Sequence, residues 1–76
     1  MNKTWMVKEL SELTKISVRT LHHYDSIGLL APAVRRDNGY RVYSKDDLVR
    51  LQQIVALKYL GFSLEKIGEM LQESDE

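Results

Sequence analysis

Two adjacent histidines, His22-His23, are the residues most readily suspected of chemistry in this chain. Neighbouring helix positions point about 100° apart, so side chains at i and i+1 do not converge on one metal ion. No His, Asp or Glu stands at the i+4 spacing of a helical zinc site beside them. The chain has no cysteine, which removes thiolate metal sites, cysteine nucleophiles and disulfide staples from within it. Its 4 glycines are scattered, so no glycine-rich loop cradles a phosphate. Ser17, Ser44 and Ser63 each stand where a helix would begin, which explains them as caps rather than nucleophiles. The acidic residues form no convergent pair. The pattern predicts no catalysis and calls for no cofactor or metal.

A different chemistry is suggested by aromatic and basic residues: Arg19, Tyr24, Arg35, Arg36, Tyr40, Arg41, Tyr43 and Lys58. Lysine and arginine neutralise phosphates, while tyrosine hydroxyls bond phosphate oxygens and their rings cover sugars. Tyr40 and Tyr43 have two readings, as nucleic-acid contacts or as packing within a hairpin. His23 shares a polar helix face with Arg19 and reads as a contact residue. His22 lies near an apolar face and reads as a partly buried packing residue.

The elements that must position these residues follow from the periodicity. Val7, Leu10 and Leu13 recur at helical spacing, predicting a first helix over 7–14. After the tight connection Lys15-Ile16, Ser17 caps a second helix running from Val18 to about Ser26, its hydroxyl accepting from the Thr20 N–H. Val18 and Leu21 form its inner face, and Arg19, Thr20, His23 and Tyr24 spread over the other. Two helices joined by so short a turn make a helix-turn-helix pattern. Asp37-Asn38-Gly39 is turn chemistry, and Tyr40-Arg41-Val42-Tyr43 alternates as a strand does. A β-hairpin is therefore expected, with strands near 34–36 and 40–43, packed on the helices because a lone hairpin is marginal. Ser44 then caps a longer helix whose apolar face is Leu48, Leu51, Ile54, Val55 and Leu57, ended by Gly61, with Phe62 folding back over its last turn. Ser63 caps a last helix that buries Leu64, Ile67, Met70 and Leu71.

The chain has 76 residues, 43% hydrophobic and 29% charged, the composition of one small globular domain. Net charge is zero, but residues 1–43 hold 7 basic residues against 4 acids, and residues 44–76 hold 4 against 7. That split lets a basic face meet a polyanion. No apolar run approaches the ~20 residues of a membrane span, and no signal-peptide core follows the N-terminus, so cytoplasmic residence is the default expectation.

The string Ser17-Val18-Arg19-Thr20-Leu21-His22-His23-Tyr24-Asp25, with Ile27-Gly28-Leu29-Leu30 and Pro32, resembles the recognition helix of MerR-type transcriptional regulators. Gly39-Tyr40-Arg41-Val42-Tyr43, Asp47-Leu48-Val49-Arg50-Leu51 and Leu57-Lys58-Tyr59-Leu60-Gly61-Phe62-Ser63-Leu64 agree in order and spacing. The resemblance covers essentially the whole chain and is nearest to the drug- and antibiotic-sensing branch. His22-His23 replaces the Arg-Tyr of many members, and Lys15 replaces the usual turn glycine.

This resemblance implies a mainly α, winged helix-turn-helix fold of about four helices plus a small β-hairpin wing. It implies one domain over 1–73: helix-turn-helix about 7–26, hairpin wing about 33–43 and helical second wing 44–73. Residues 74–76 would be a frayed tail or the start of a dimerisation helix. The implied function is sequence-specific double-stranded DNA binding in bacterial transcription regulation, with activation by promoter distortion and no enzymatic step. DNA contacts would come from Arg19, Thr20, His23 and Tyr24 in the major groove, Arg35, Arg36, Tyr40 and Arg41 on the hairpin, and Lys58 and Ser63 on the second wing. The implied partners are a pseudo-palindromic operator and RNA polymerase, reached through DNA distortion, with the full-length protein a homodimer. This stretch alone offers fewer than the about three heptads of a coiled-coil seam and is expected to be a monomer. Two alternatives stand beside this reading: an architectural DNA-bending factor of phage or transposon, and a winged-helix protein-interaction module.

Overall fold

The computed structural model describes residues 3–32, 34–35 and 41–73. The elements run in the order β1 (Thr4–Met6), α1 (Val7–Thr14), α2 (Val18–Ser26), β2 (Val34–Arg35), β3 (Arg41–Ser44), α3 (Lys45–Tyr59) and α4 (Leu64–Glu73). This is the expected helical architecture with its hairpin wing, and one strand more.

Each helix starts where a side chain satisfies its free backbone donors. Ser17 Oγ accepts from the Thr20 N–H at 3.0 Å, and Ser63 Oγ accepts from the Lys66 N–H at 3.1 Å. Ser44 and Asp47 form a reciprocal capping box: Ser44 Oγ accepts from the Asp47 N–H at 3.2 Å, and Asp47 Oδ2 accepts from the Ser44 N–H at 2.9 Å. Glu9 Oε1 performs the second half of that exchange for α1, accepting from the Met6 N–H at 2.9 Å.

The helix ends are equally defined. At Gly61, φ +101°, the Phe62 N–H reaches back to the Leu57 carbonyl and the Gly61 N–H to the Lys58 carbonyl, a Schellman arrangement. Gly28, φ +76°, ends α2 the same way, with the Leu29 N–H on the Tyr24 carbonyl and the Gly28 N–H on that of Asp25. The α1 end is unusual, because Lys15 takes the left-handed conformation (φ 65°, ψ 20°) that glycine tolerates best.

The sheet has the order β1-β3-β2, antiparallel throughout. In the expected hairpin, Val34 pairs with Val42 and Arg35 with Arg41. The Asp37-Asn38-Gly39 turn, Arg36 and Tyr40 lie outside the described residues. β1 was not anticipated: three residues are too few for alternation to register, and the strand exists because it pairs with the second edge of β3. Trp5 thereby stands opposite Tyr43, with Met6 opposite Val42.

One core joins all of this. Leu10, Leu21, Tyr43 and Ile54 are fully enclosed, and Leu30, Leu51, Ile67 and Leu71 pack with them. Val42 and Tyr43 are adjacent on β3 and both buried, so the strand is covered on both faces. Tyr43 is therefore hairpin and core packing, not a surface aromatic. The expected inward faces need two corrections. Leu13 is 55% exposed and Val55 45% exposed, because they flank an apolar groove of about 740 Å³ between the end of α1 and α3. Phe62, expected to cover the last turn of α3, remains 38% exposed.

Candidate nucleic-acid interface

α2 divides its side chains between core and solvent by simple rotation at about 100° per residue. Leu21 faces straight into the core, with Val18 and Asp25 to one side and Tyr24 to the other. Arg19, His23 and Ser26 fall on the opposite side and are exposed. Thr20 is half-buried at the border.

Two expectations for this helix are corrected. Tyr24 is 8% exposed and belongs to the core, since it stands one turn beyond Leu21 at i+3 on the same face. Its ring lies 6.4 Å from that of His23, tilted by 47°, so it backs the outward histidine. Burial also pushes the Tyr24 phenol above its ordinary pKa by penalising the charged form. His22, expected to be partly buried, is exposed, because a quarter-turn from Leu21 already clears the packed face.

The helix start orients a second polar group. The Ser17 hydroxyl donates to Thr20 Oγ1 at 2.9 Å while accepting from the Thr20 N–H. The Thr20 hydroxyl oxygen is thus an acceptor within the first turn, and a hydroxyl keeps one proton to donate. Ser26, which helical rotation from Arg19 and His23 would have found and residue type did not suggest, donates to the His23 carbonyl at 2.7 Å.

Lys58 and Ser63 stand on either side of the Gly61 turn between α3 and α4, and both are exposed. Ser63 Oγ is engaged as the α4 cap. Arg35 and Arg41 occupy directly paired positions of β2 and β3. The structure thus places one cluster on α2, a second position pair on the hairpin and a third at the α3–α4 corner. Among the described residues, no group of three His, Asp or Glu could hold a metal ion, and no helix is long and apolar enough to cross a membrane.

Comparison with known proteins gives consistent matches. The pattern of the MerR HTH family regulatory proteins matches residues 6–74. The HTH-type transcriptional activator mta of Bacillus subtilis (strain 168) is 54% identical over 67 residues, covering 88% of this chain and 26% of that protein. The crystal structure of MtaN, the N-terminus of the Bacillus subtilis multidrug transporter activator, superposes with a TM-score of 0.85 at 54% identity, covering 88% of this chain and 63% of that one. HiNmlR, a MerR family regulator lacking the sensor domain and bound to promoter DNA, superposes with a TM-score of 0.83 at 33% identity, covering 92% and 56%. The chain spans between 26% and 32% of the length of such curated relatives.

Proposed function

For a chain that belongs to the MerR family of helix-turn-helix regulators, we propose that it is the sequence-specific, double-stranded-DNA-binding unit of a bacterial transcription activator acting in the cytoplasm. The observation that carries the proposal is the outward face of α2, where Arg19 and His23 are exposed directly opposite Leu21. Arg19 presents a guanidinium fork suited to a guanine edge or a phosphate. Thr20 offers a hydroxyl proton to the backbone, and His23 reaches base edges from the second turn. Tyr24 acts from beneath, holding His23 in place instead of touching DNA.

The two wings take the phosphates on either side of that groove. Arg35, Arg36, Tyr40 and Arg41 belong to the hairpin wing, and Lys58 with the Ser63-capped start of α4 to the second wing. Contacts on both sides of one groove give the protein purchase to distort the duplex, which supports activation by promoter distortion and, through it, a functional encounter with RNA polymerase. The promoter-bound relative lends weight to this arrangement. A homodimer of the longer protein on a pseudo-palindromic operator completes the proposal, because a single copy reaches one half-site.

The experiment is a fluorescence-anisotropy titration on a half-site duplex over a range of salt. Arg19→Ala should weaken binding to the cognate site by ~1–3 kcal/mol and relax base preference. Lys58→Ala should weaken binding similarly for every sequence and lower the salt slope by about one unit. Salt-independent affinity in the parent chain would instead favour a protein-interaction module.

A further inference from the structure

The helix-turn-helix and the second wing meet along an open seam. A groove of about 820 Å³ separates the chain after α2 from α4, lined on one side by Ile27 and Leu29 and on the other by Leu64, Gly68 and Gln72. Gly68 has no side chain to fill it, and a Cβ there would sit 3.7 Å from Leu29 Cδ1, at ordinary contact distance. Arg50 of α3 lines the same groove, and its Nε donates to the Leu29 carbonyl at 2.8 Å, across 21 residues of chain. The Leu29 N–H is at the same time bound to the Tyr24 carbonyl at 2.8 Å, inside the turn that ends α2. Two hydrogen bonds through one residue, Leu29, therefore run from α2 to α3.

We propose that Arg50 is a positioning residue for DNA binding: it fixes the angle between the recognition helix α2 and the second wing, so that both reach their phosphates together. The inference rests on the function proposed above and extends it to a residue that touches no DNA. The hydrogen bond is part-buried, so removing its donor leaves the Leu29 carbonyl without that partner where water competes poorly. The core residues Leu29, Leu30, Ile67 and Leu71 hold the helix-turn-helix and the second wing together on the packed side, and the Arg50 tie holds them on the open side; without the tie they pivot on that core. The second wing then loses its register on the backbone, while α2 keeps its own contacts.

The experiment compares two half-site duplexes, a short one reaching only α2 and a long one extended by the flank the second wing would meet. The gain from the flank should be on the order of tenfold for a few phosphate contacts. Arg50→Gln and Arg50→Met are both uncharged and similar in length. Glutamine places an amide N–H where Nε stands, and methionine has no donor. The expected result is that R50Q keeps most of the flank gain and R50M loses it, with affinity for the short duplex unchanged in both and the fold intact by circular dichroism. Arg50→Ser, which is too short to reach Leu29, repeats the donor removal should R50M not fold.

Equal loss of the flank gain in R50Q and R50M would overturn the proposal in favour of a direct charge contact with phosphate. Full retention in both would overturn it by showing that the tie positions nothing. An equal loss on both duplexes would reduce Arg50 to general stability. A parent chain that binds DNA but gains nothing from the flank would refute the second wing's role itself, and the inference with it. A parent chain with no salt-dependent binding would refute the proposed function.

Discussion

Tyr24 and His23 are neighbours in sequence and opposites in consequence. Tyr24 is 8% exposed and packs in the core, whereas His23 is exposed. A buried aromatic ring removes roughly 150–250 Å² from water, worth up to ~4–6 kcal/mol at about 25 cal/mol per Å². Measured aromatic-to-alanine changes in cores cost ~3–5 kcal/mol. A chain of 76 residues has a total unfolding free energy of only ~4–11 kcal/mol. Tyr24→Ala should therefore lower the unfolding free energy by ~3–5 kcal/mol and the Tm by roughly 15–30 °C. Tyr24→Phe, which keeps the ring, should cost less than about 1 kcal/mol. His23→Ala should leave stability within ~0.5 kcal/mol but weaken binding to a cognate half-site by ~1–3 kcal/mol. Thermal and urea unfolding followed by circular dichroism reads the first effect. Anisotropy at a temperature where every variant is folded reads the second. The reasoning is refuted if Tyr24→Ala melts within a few degrees of the parent and binds DNA more weakly than His23→Ala. That pair of results would make Tyr24 a contact residue and the packed face of α2 wrongly drawn.

Other expectations follow from single positions. Lys15→Gly relieves a left-handed lysine (φ 65°); set against the extra freedom glycine has when unfolded, a net stabilisation of ~0.5–1 kcal/mol is expected in urea titrations. Gly68→Ala puts a methyl at ordinary contact distance from Leu29 within α4 and should stabilise by about 1 kcal/mol through helix propensity, read as a rise in Tm. The raised phenol pKa of Tyr24 makes its contribution to stability fully present below about pH 10, and lost as pH rises through the folded-state value, because the unfolded chain releases that proton first. An alkaline unfolding series should accordingly show a steeper loss in the parent than in Tyr24→Phe, and parallel curves would contradict the burial argument.

The sequence determined whatever is decided within a few residues of chain. Ser17, Ser44 and Ser63 announce three helix starts because a cap bonds to an N–H three residues on. Gly61 announces an end because a Schellman turn requires a positive φ at that position. Arg19 and His23 were legible as an outward pair for the same reason, since helical rotation alone separates them from Leu21. The same rotation, applied strictly, would have turned Tyr24 inward; its polar hydroxyl concealed a ring that packs. Tertiary structure alone decided what depends on partners distant in sequence. β1 is a strand only because it pairs with an edge of β3, Leu13 is exposed because it flanks a groove between α1 and α3, and Arg50 finds a carbonyl 21 residues away that no local pattern marks. Local hydrogen bonds repeat wherever their residues recur, whereas an edge, a groove or a tie across a seam exists only once the chain has closed on itself.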